Sequence, residues 1–233
     1  MQTHATILCI ETANAVTSVA IAQNGQCLHA LHILEANKAA DVLHTLIEKL
    51  LQETSISFNE LDAVAISAGP GSYTGLRIAV AAAKGYCFSL HIPLIAIPTL
   101  TSMVYGAIHR YNLTGFDYYF PMIDARRMEV FTTVFSNTLQ PEQTFTSLIL
   151  DENVKNIIQP EKKYLCFGNG AFKIKPIITL SNIIVFENFI HSSEDLCLLA
   201  SQQYTAATFK DIAYFEPDYY KAFYTTQQAS NKV

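Results

Sequence analysis

The chain of 233 residues is half hydrophobic, 15% charged and carries a formal net charge of −5, which excludes a disordered chain and sets a length for one large domain or two lobes. Its basic residues are scattered, with Arg126-Arg127 and Lys162-Lys163 the only adjacent pairs, so the basic stripe of an autonomous nucleic-acid binder is missing. Five cysteines, far apart and without a C-x-x-C pair, exclude a disulfide framework and a zinc knuckle, and read as small buried hydrophobes of a reducing compartment.

In chain order, residues 6–13 and 16–22 are β-rich runs, and the turn dipeptide Asn24-Gly25 leads into a third run ending near Leu34. Residues 39–52 place Val42, Leu43, Leu46, Ile47, Leu50 and Leu51 on one face of an amphipathic helix. A strand at 63–67, a glycine-rich loop, an alanine-rich helix from about Gly75 to Leu90, a strand at 94–97 and a helix from about Thr99 complete the first half. The second half repeats the order: strands at 117–123, 128–135 and near 144–150, a helix near 151–158, strands at 163–167 and 183–187, and a helix at 193–208. This duplicated βββαβα pattern predicts an α/β, two-lobed, actin-like (ASKHA, RNase H-like) fold with a cleft between lobes. Residues 1–104 are expected to form the first lobe and 105–233 the second, with about 210–233 returning to the first. No basic leader precedes the first strand, and no apolar run reaches the roughly 20 residues that span a bilayer, so a cytoplasmic location without membrane contact is expected.

The segment Ser67-Ala-Gly-Pro-Gly-Ser-Tyr-Thr-Gly-Leu-Arg77 lies between a strand and a helix, where backbone N–H groups could cradle an anion. It fails the P-loop pattern, because Pro70 stands where a glycine is needed and Leu76 where the lysine is needed. A dinucleotide fingerprint lacks its acid at Ile97-Pro98-Thr99. The plain alternative is a glycine turn that allows close packing of strand on helix. Glu11, Thr12 and Asn14 at the first strand end, with Asp124 and Arg126 at the matching place in the second half, could hold phosphate or Mg²⁺, or could simply be polar turn residues.

Catalytic and metal-binding patterns are absent from the sequence. The seven histidines include no H-x-x-x-H pair, His29 and His32 fall on opposite faces of a strand, and His44 is expected to pair with Glu48 in solvent. No nucleophile elbow or Ser-His-Asp order is evident. The helix at 76–90 is apolar nearly all round, so it must be covered on more than one side, either within its lobe or by a partner.

Ile-Glu-Thr-Ala at 10–13, the 64–78 segment containing Gly-Pro-Gly-Ser-Tyr-Thr-Gly-Leu-Arg, Ile-Pro-Thr-Leu at 97–100 and Asp-Ala-Arg-Arg-Met-Glu-Val-Phe at 124–131 together resemble the TsaB family. Pro217-Asp-Tyr-Tyr-Lys221 resembles that family's closing motif loosely. The resemblance implies a non-catalytic scaffold and activating subunit with no catalytic residue, metal or cofactor of its own. It implies pairing with a TsaD-like catalytic subunit and a TsaE-like ATPase to place a threonylcarbamoyl group on tRNA adenosine, with ATP or ADP-Mg only at the level of the complex. On this reading tRNA is met through the complex, and the isolated chain is expected to form a homodimer. The two first-lobe helices would be the partner surface, through Leu43, Leu46, Ile47, Tyr73, Leu76, Val80, Ala82, Ala83 and Tyr86, and a bulky charge at Ala82 or Ala83 would weaken binding and spare the fold. Glu11, Thr12, Asn14, Asp124 and Arg126 would be a vestigial nucleotide site, with Glu11 departing from the family's usual Asp. The competing reading is an actin-like, ATP-dependent phosphotransferase using Glu11 or Asp124.

Overall fold

A computed structural model of the chain describes residues 5–35, 38–178 and 180–219. Ten strands and four α-helices follow in order among these residues: β1 (Thr6–Glu11), β2 (Thr17–Gln23), β3 (Gln26–Ile33), α1 (Ala39–Thr54), β4 (Ala63–Gly69), α2 (Tyr73–Leu90), β5 (Leu94–Pro98), α3 (Thr99–His109), β6 (Tyr118–Asp124), β7 (Glu129–Ser136), β8 (Pro141–Ile149), β9 (Tyr164–Phe167), β10 (Ile183–Phe186) and α4 (Cys197–Thr205). The strands form two five-stranded sheets, ordered β3-β2-β1-β4-β5 and β8-β7-β6-β9-β10. In each sheet three antiparallel strands are extended by two parallel ones. Parallel pairing requires a crossover, which α1 and α2 supply in the first sheet. Two sheets of identical order make the two-lobed actin-like fold.

The second lobe keeps the strand order with reduced crossovers. The helix expected near 151–158 is a short 3₁₀ segment, Glu152–Ile157, and the β9–β10 connection carries only the 3₁₀ turn Ala171–Ile174. The helix expected at 193–208 begins as a 3₁₀ turn, Ser193–Leu196, and is α-helical only over Cys197–Thr205. Leu43, Ile47 and Leu50 of α1 and Ala79 and Ala83 of α2 pack with Leu8, Ile10, Val64 and Ile66 against one face of the first sheet. α4 covers the other face: Leu196, Cys197, Leu199 and Ala200 meet Ile7, Cys9, Ala20 and Ala65.

The chain crosses between lobes twice. α3 turns Leu100, Met103, Val104 and Ala107 onto the second sheet, where Ile123, Phe131, Leu165 and Phe167 await them. Residues 187–196 then lead back to the first lobe. Further on, Ile212 and Phe215 pack on the first-lobe core, Lys210 bridges Leu94, and Asp218 N–H donates to Ala68 O at 2.7 Å. Residues 220–233, which include most of the segment expected to return, lie outside the described residues. No described helix is long and apolar enough to cross a membrane. Four of the cysteines are buried as expected, but Cys27 on β3 is exposed.

Candidate functional site: an interlobe cleft and a helical face

Between the lobes lies a cleft of about 1060 Å³, lined by the β1–β2 turn, the glycine-rich loop and the start of α2 on one side and by the β6–β7 turn on the other. Its glycines make that shape attainable. Gly69 has φ +117° and a Cβ there would sit 2.4 Å from Asp218 O, while at Gly75 it would sit 2.0 Å from Thr12 O. Only glycine permits both the left-handed backbone and so close an approach. The loop follows a cis Gly69-Pro70 bond, and Ser72 caps α2 by accepting from Gly75 N–H at 3.2 Å.

The structure draws Glu11, Thr12, Asn14, Asp124 and Arg126 to this region, and the side chains of Glu11, Thr12, Asn14 and Asp124 hold internal hydrogen bonds there. Glu11 is wholly buried, accepting from Ala13 N–H at 2.6 Å and from the Ser67 hydroxyl. Thr12 donates its hydroxyl to Gly75 O at 2.7 Å, and Asn14 Nδ2 lies 3.3 Å from His191 Nδ1. Asp124 accepts Arg126 N–H at 2.6 Å and pairs with the buried Lys173 ammonium at 2.5 Å. A Mg²⁺–nucleotide needs free carboxylate oxygens in the cleft. Glu11 is sealed away from the cleft, and Asp124 lines it with Oδ1 held by Lys173 and the Arg126 N–H, so only one of the two carboxylates faces the cleft. Among the described residues no cluster of three metal-ligating side chains occurs. Lys173 also donates to Glu129 O at 3.0 Å. Lys173→Met is expected to cost about 2 kcal/mol in urea unfolding, the usual worth of a charged hydrogen bond.

Behind Glu11 the fold assembles a polar chain that no local spacing announces. His191 Nδ1 lies 3.5 Å from Glu11 Oε1, and its Nε2 lies 2.9 Å from Ser102 Oγ and 4.0 Å from Asp195 Oδ2. Asp195 takes a two-pronged grip from Arg110, at 2.8 and 2.9 Å, and accepts Ser192 N–H at 2.9 Å. Burial pulls the His191 pKa down, but the charge and hydrogen bond of Glu11 and the charge of Asp195 outweigh it, so the pKa is raised. Ser102, His191 and Glu11 imitate a hydrolytic triad. Ser102 is fully buried, however, and spends its proton on Thr99 O at 2.9 Å. Its hydroxyl is therefore an acceptor for His191 Nε2–H, not a nucleophile open to substrate. The one local signal was Ser192-x-x-Asp195, a capping box.

The residues expected on the helical partner face differ in burial. Leu43, Leu46, Ile47, Leu76, Val80, Ala82 and Ala83 are all buried inside their own lobe, and only Tyr73 and Tyr86 keep accessible surface. A bulky charge at Ala82 or Ala83 would enter the core and break the lobe. The exposed row of α2 is instead Thr74, Arg77, Ala81, Gly85 and Phe88. Phe88 is 76% exposed, and a Cβ at Gly85 would meet nothing within 4 Å. His44 of α1 reaches across to the Tyr86 hydroxyl at 2.8 Å, a partner other than the expected Glu48, and Tyr86 stacks on Phe58.

Known proteins resemble this chain in sequence and fold. The pattern of the family described as TsaD, tRNA N6-adenosine threonylcarbamoyltransferase, matches residues 35–223. The tRNA threonylcarbamoyladenosine biosynthesis protein TsaB of Haemophilus influenzae is 31% identical over 126 residues, covering 54% of this chain and 52% of that protein. TsaB of Escherichia coli is 24% identical over 219 residues, covering 91% and 93%. The chain thus spans about half the length of the first of these relatives. Among solved structures, a Pseudomonas aeruginosa protein with similarity to peptidase YeaZ superimposes with a TM-score of 0.78 at 23% identity, covering 93% of this chain and all of that one. That likeness bears on the fold alone.

Proposed function

We propose that this chain, which belongs to the TsaB family within the TsaD-type group, is a non-catalytic scaffold and activating subunit for tRNA threonylcarbamoyladenosine synthesis, acting in the cytoplasm. Its partners on this reading are a TsaD-like catalytic subunit and a TsaE-like ATPase, with tRNA engaged through the complex. When the partner is absent, two copies meet through the same face.

The observation that carries the reading is Gly85. It sits in the middle of an 18-residue helix, with no close neighbour and no positive φ to require glycine. A glycine there costs about 0.5–1 kcal/mol relative to alanine. A residue that weakens its own helix for no internal contact suits a close approach from outside, next to the exposed Phe88 ring. The burial of Glu11 beneath the cleft, with two internal donors, supports a reading in which it takes no part in phosphotransfer.

Gly85→Ala is expected to raise the unfolding free energy by about 0.5–1 kcal/mol and to weaken partner binding. Urea melts and titration calorimetry read the two effects separately. The direct test is co-purification with a TsaD-like subunit, followed by measuring modified tRNA with and without this chain. Equal modification in both arms, or ATP turnover by the isolated chain at about 1 s⁻¹, an ordinary enzyme rate, would overturn the proposal.

A further inference from the structure

The polar chain behind the cleft joins every part that must move if the lobes swing. Glu11 and Ser67 belong to the central strands of the first lobe. Ser102 and Arg110 lie on and just after α3, the first crossing, and His191 and Asp195 lie on the second. Phe189, two residues before His191, is packed into the second-lobe core with Met103 and Phe167. The segment is thus anchored in one lobe and bonded into the other.

The charges alternate along the chain. Glu11 faces His191, His191 faces Asp195, and Asp195 faces Arg110, whose guanidinium also lies 3.6 Å from Glu194 and donates to Ile190 O. Glu11, Asp195 and Arg110 are the titratable groups that act on the ring, from β1, the second crossing and the end of α3 respectively. β4 contributes only the Ser67 hydroxyl, through Glu11. With His191 protonated the four groups sum to zero. Without that proton Glu11 has no cation beside it and Asp195 keeps only Arg110, which also faces Glu194, an arrangement low-dielectric surroundings penalise. Ser102 Oγ is placed to accept from Nε2, while Nδ1 faces Glu11 Oε1 at 3.5 Å and the side-chain amide of Asn14 at 3.3 Å, whose buried oxygen has no other hydrogen-bond partner.

We propose that His191 is a proton-operated latch at the hinge, holding the lobes in one fixed relation while it is charged and freeing the second crossing when it is neutral. The latch is separate from the partner face on α2, so it stands or falls independently of the scaffold role. Its raised pKa places release above the ordinary histidine value of 6.5.

Spin labels at Thr74→Cys and Arg127→Cys, both exposed on opposite walls of the cleft, in a Cys27→Ser background, report the interlobe distance by pulsed electron resonance. One distance is expected at pH 6. A second, longer population should grow at least threefold by pH 8.5, in step with the His191 ring resonance followed by NMR. In H191Q, shown to be folded by circular dichroism, the distance distribution should no longer depend on pH. A wild-type distance that is the same at both pH values overturns the latch. So does a change that fails to follow the ring's titration, or one that persists in H191Q. Should H191Q not fold, the wild-type distance and ring titrations decide the matter alone.

Discussion

Replacing Phe88 by Asp is expected to weaken binding of the proposed TsaD-like partner by about 100-fold or more, the effect of losing a central anchor, while shifting the unfolding free energy by no more than about 0.5 kcal/mol. The two halves of that expectation come from one number: 76% of the ring is in solvent in the isolated chain. Little intramolecular contact can be lost by removing it. In a complex the same ring, one turn from Gly85 on the exposed row, would lie where a facing helix comes closest. An aspartate there would leave a carboxylate stripped of water against an apolar surface. Calorimetric titration against the partner, with urea melts of both proteins, checks the pair of outcomes. Unchanged affinity would move the interface off α2, and a large loss of stability would mean that the ring serves its own lobe.

The expectation for Phe88 differs from the residues that the sequence alone suggested, and the reason is physical. Hydrophobic periodicity identifies α1 because only one of its faces is apolar, so Leu43, Ile47 and Leu50 point inward by necessity. In α2, Leu76, Ile78, Ala79, Val80, Ala81, Ala82 and Ala83 are apolar all round. Nothing in such a run says which side meets the helix's own sheet. Ala82 and Ala83 face inward while Ala81 faces out, and only the packing distinguishes them. The order of strands along the chain was readable because alternation, and in the first lobe the Asn24-Gly25 turn, are local signals. The crossovers of the second lobe were less so, since a run such as Glu152–Ile157 can satisfy its periodicity in a 3₁₀ segment.

The cleft illustrates the same limit from another side. Glu11, Thr12, Asn14, Asp124 and Arg126 were legible as polar residues at matching strand ends, and the fold does gather them near one cleft. Their commitments were not legible. Lys173 reaches Asp124 from 49 positions away, and His191 reaches Asn14 from 177 positions away. Long-range pairs of this kind leave no spacing pattern, so a candidate ligand set in sequence became a set of internal hydrogen bonds in three dimensions.

Glu11→Ala is expected to cost about 3–5 kcal/mol of folding stability, as removal of one member of a buried ion pair does. The loss has three sources: Ala13 N–H and the Ser67 hydroxyl lose their acceptor, and His191 loses the charge that most favours its protonated form. Arg110 can compensate none of these, because it already grips Asp195. The pH dependence separates the charge from the hydrogen bonds. A histidine whose folded pKa is raised contributes stability in full below its unfolded value, near 6.5, and loses it as pH rises through the folded value. Wild-type unfolding free energy should therefore fall across the range above pH 6.5. In Glu11→Gln, which keeps an acceptor but no charge, the histidine pKa has less cause to be raised, so the slope should flatten and the stability gap to wild type should narrow as pH rises. Urea melts at several pH values between 6 and 9 measure both. A gap that stays constant across that range would mean that Glu11 acts through its hydrogen bonds alone, and that His191 is held neutral by burial.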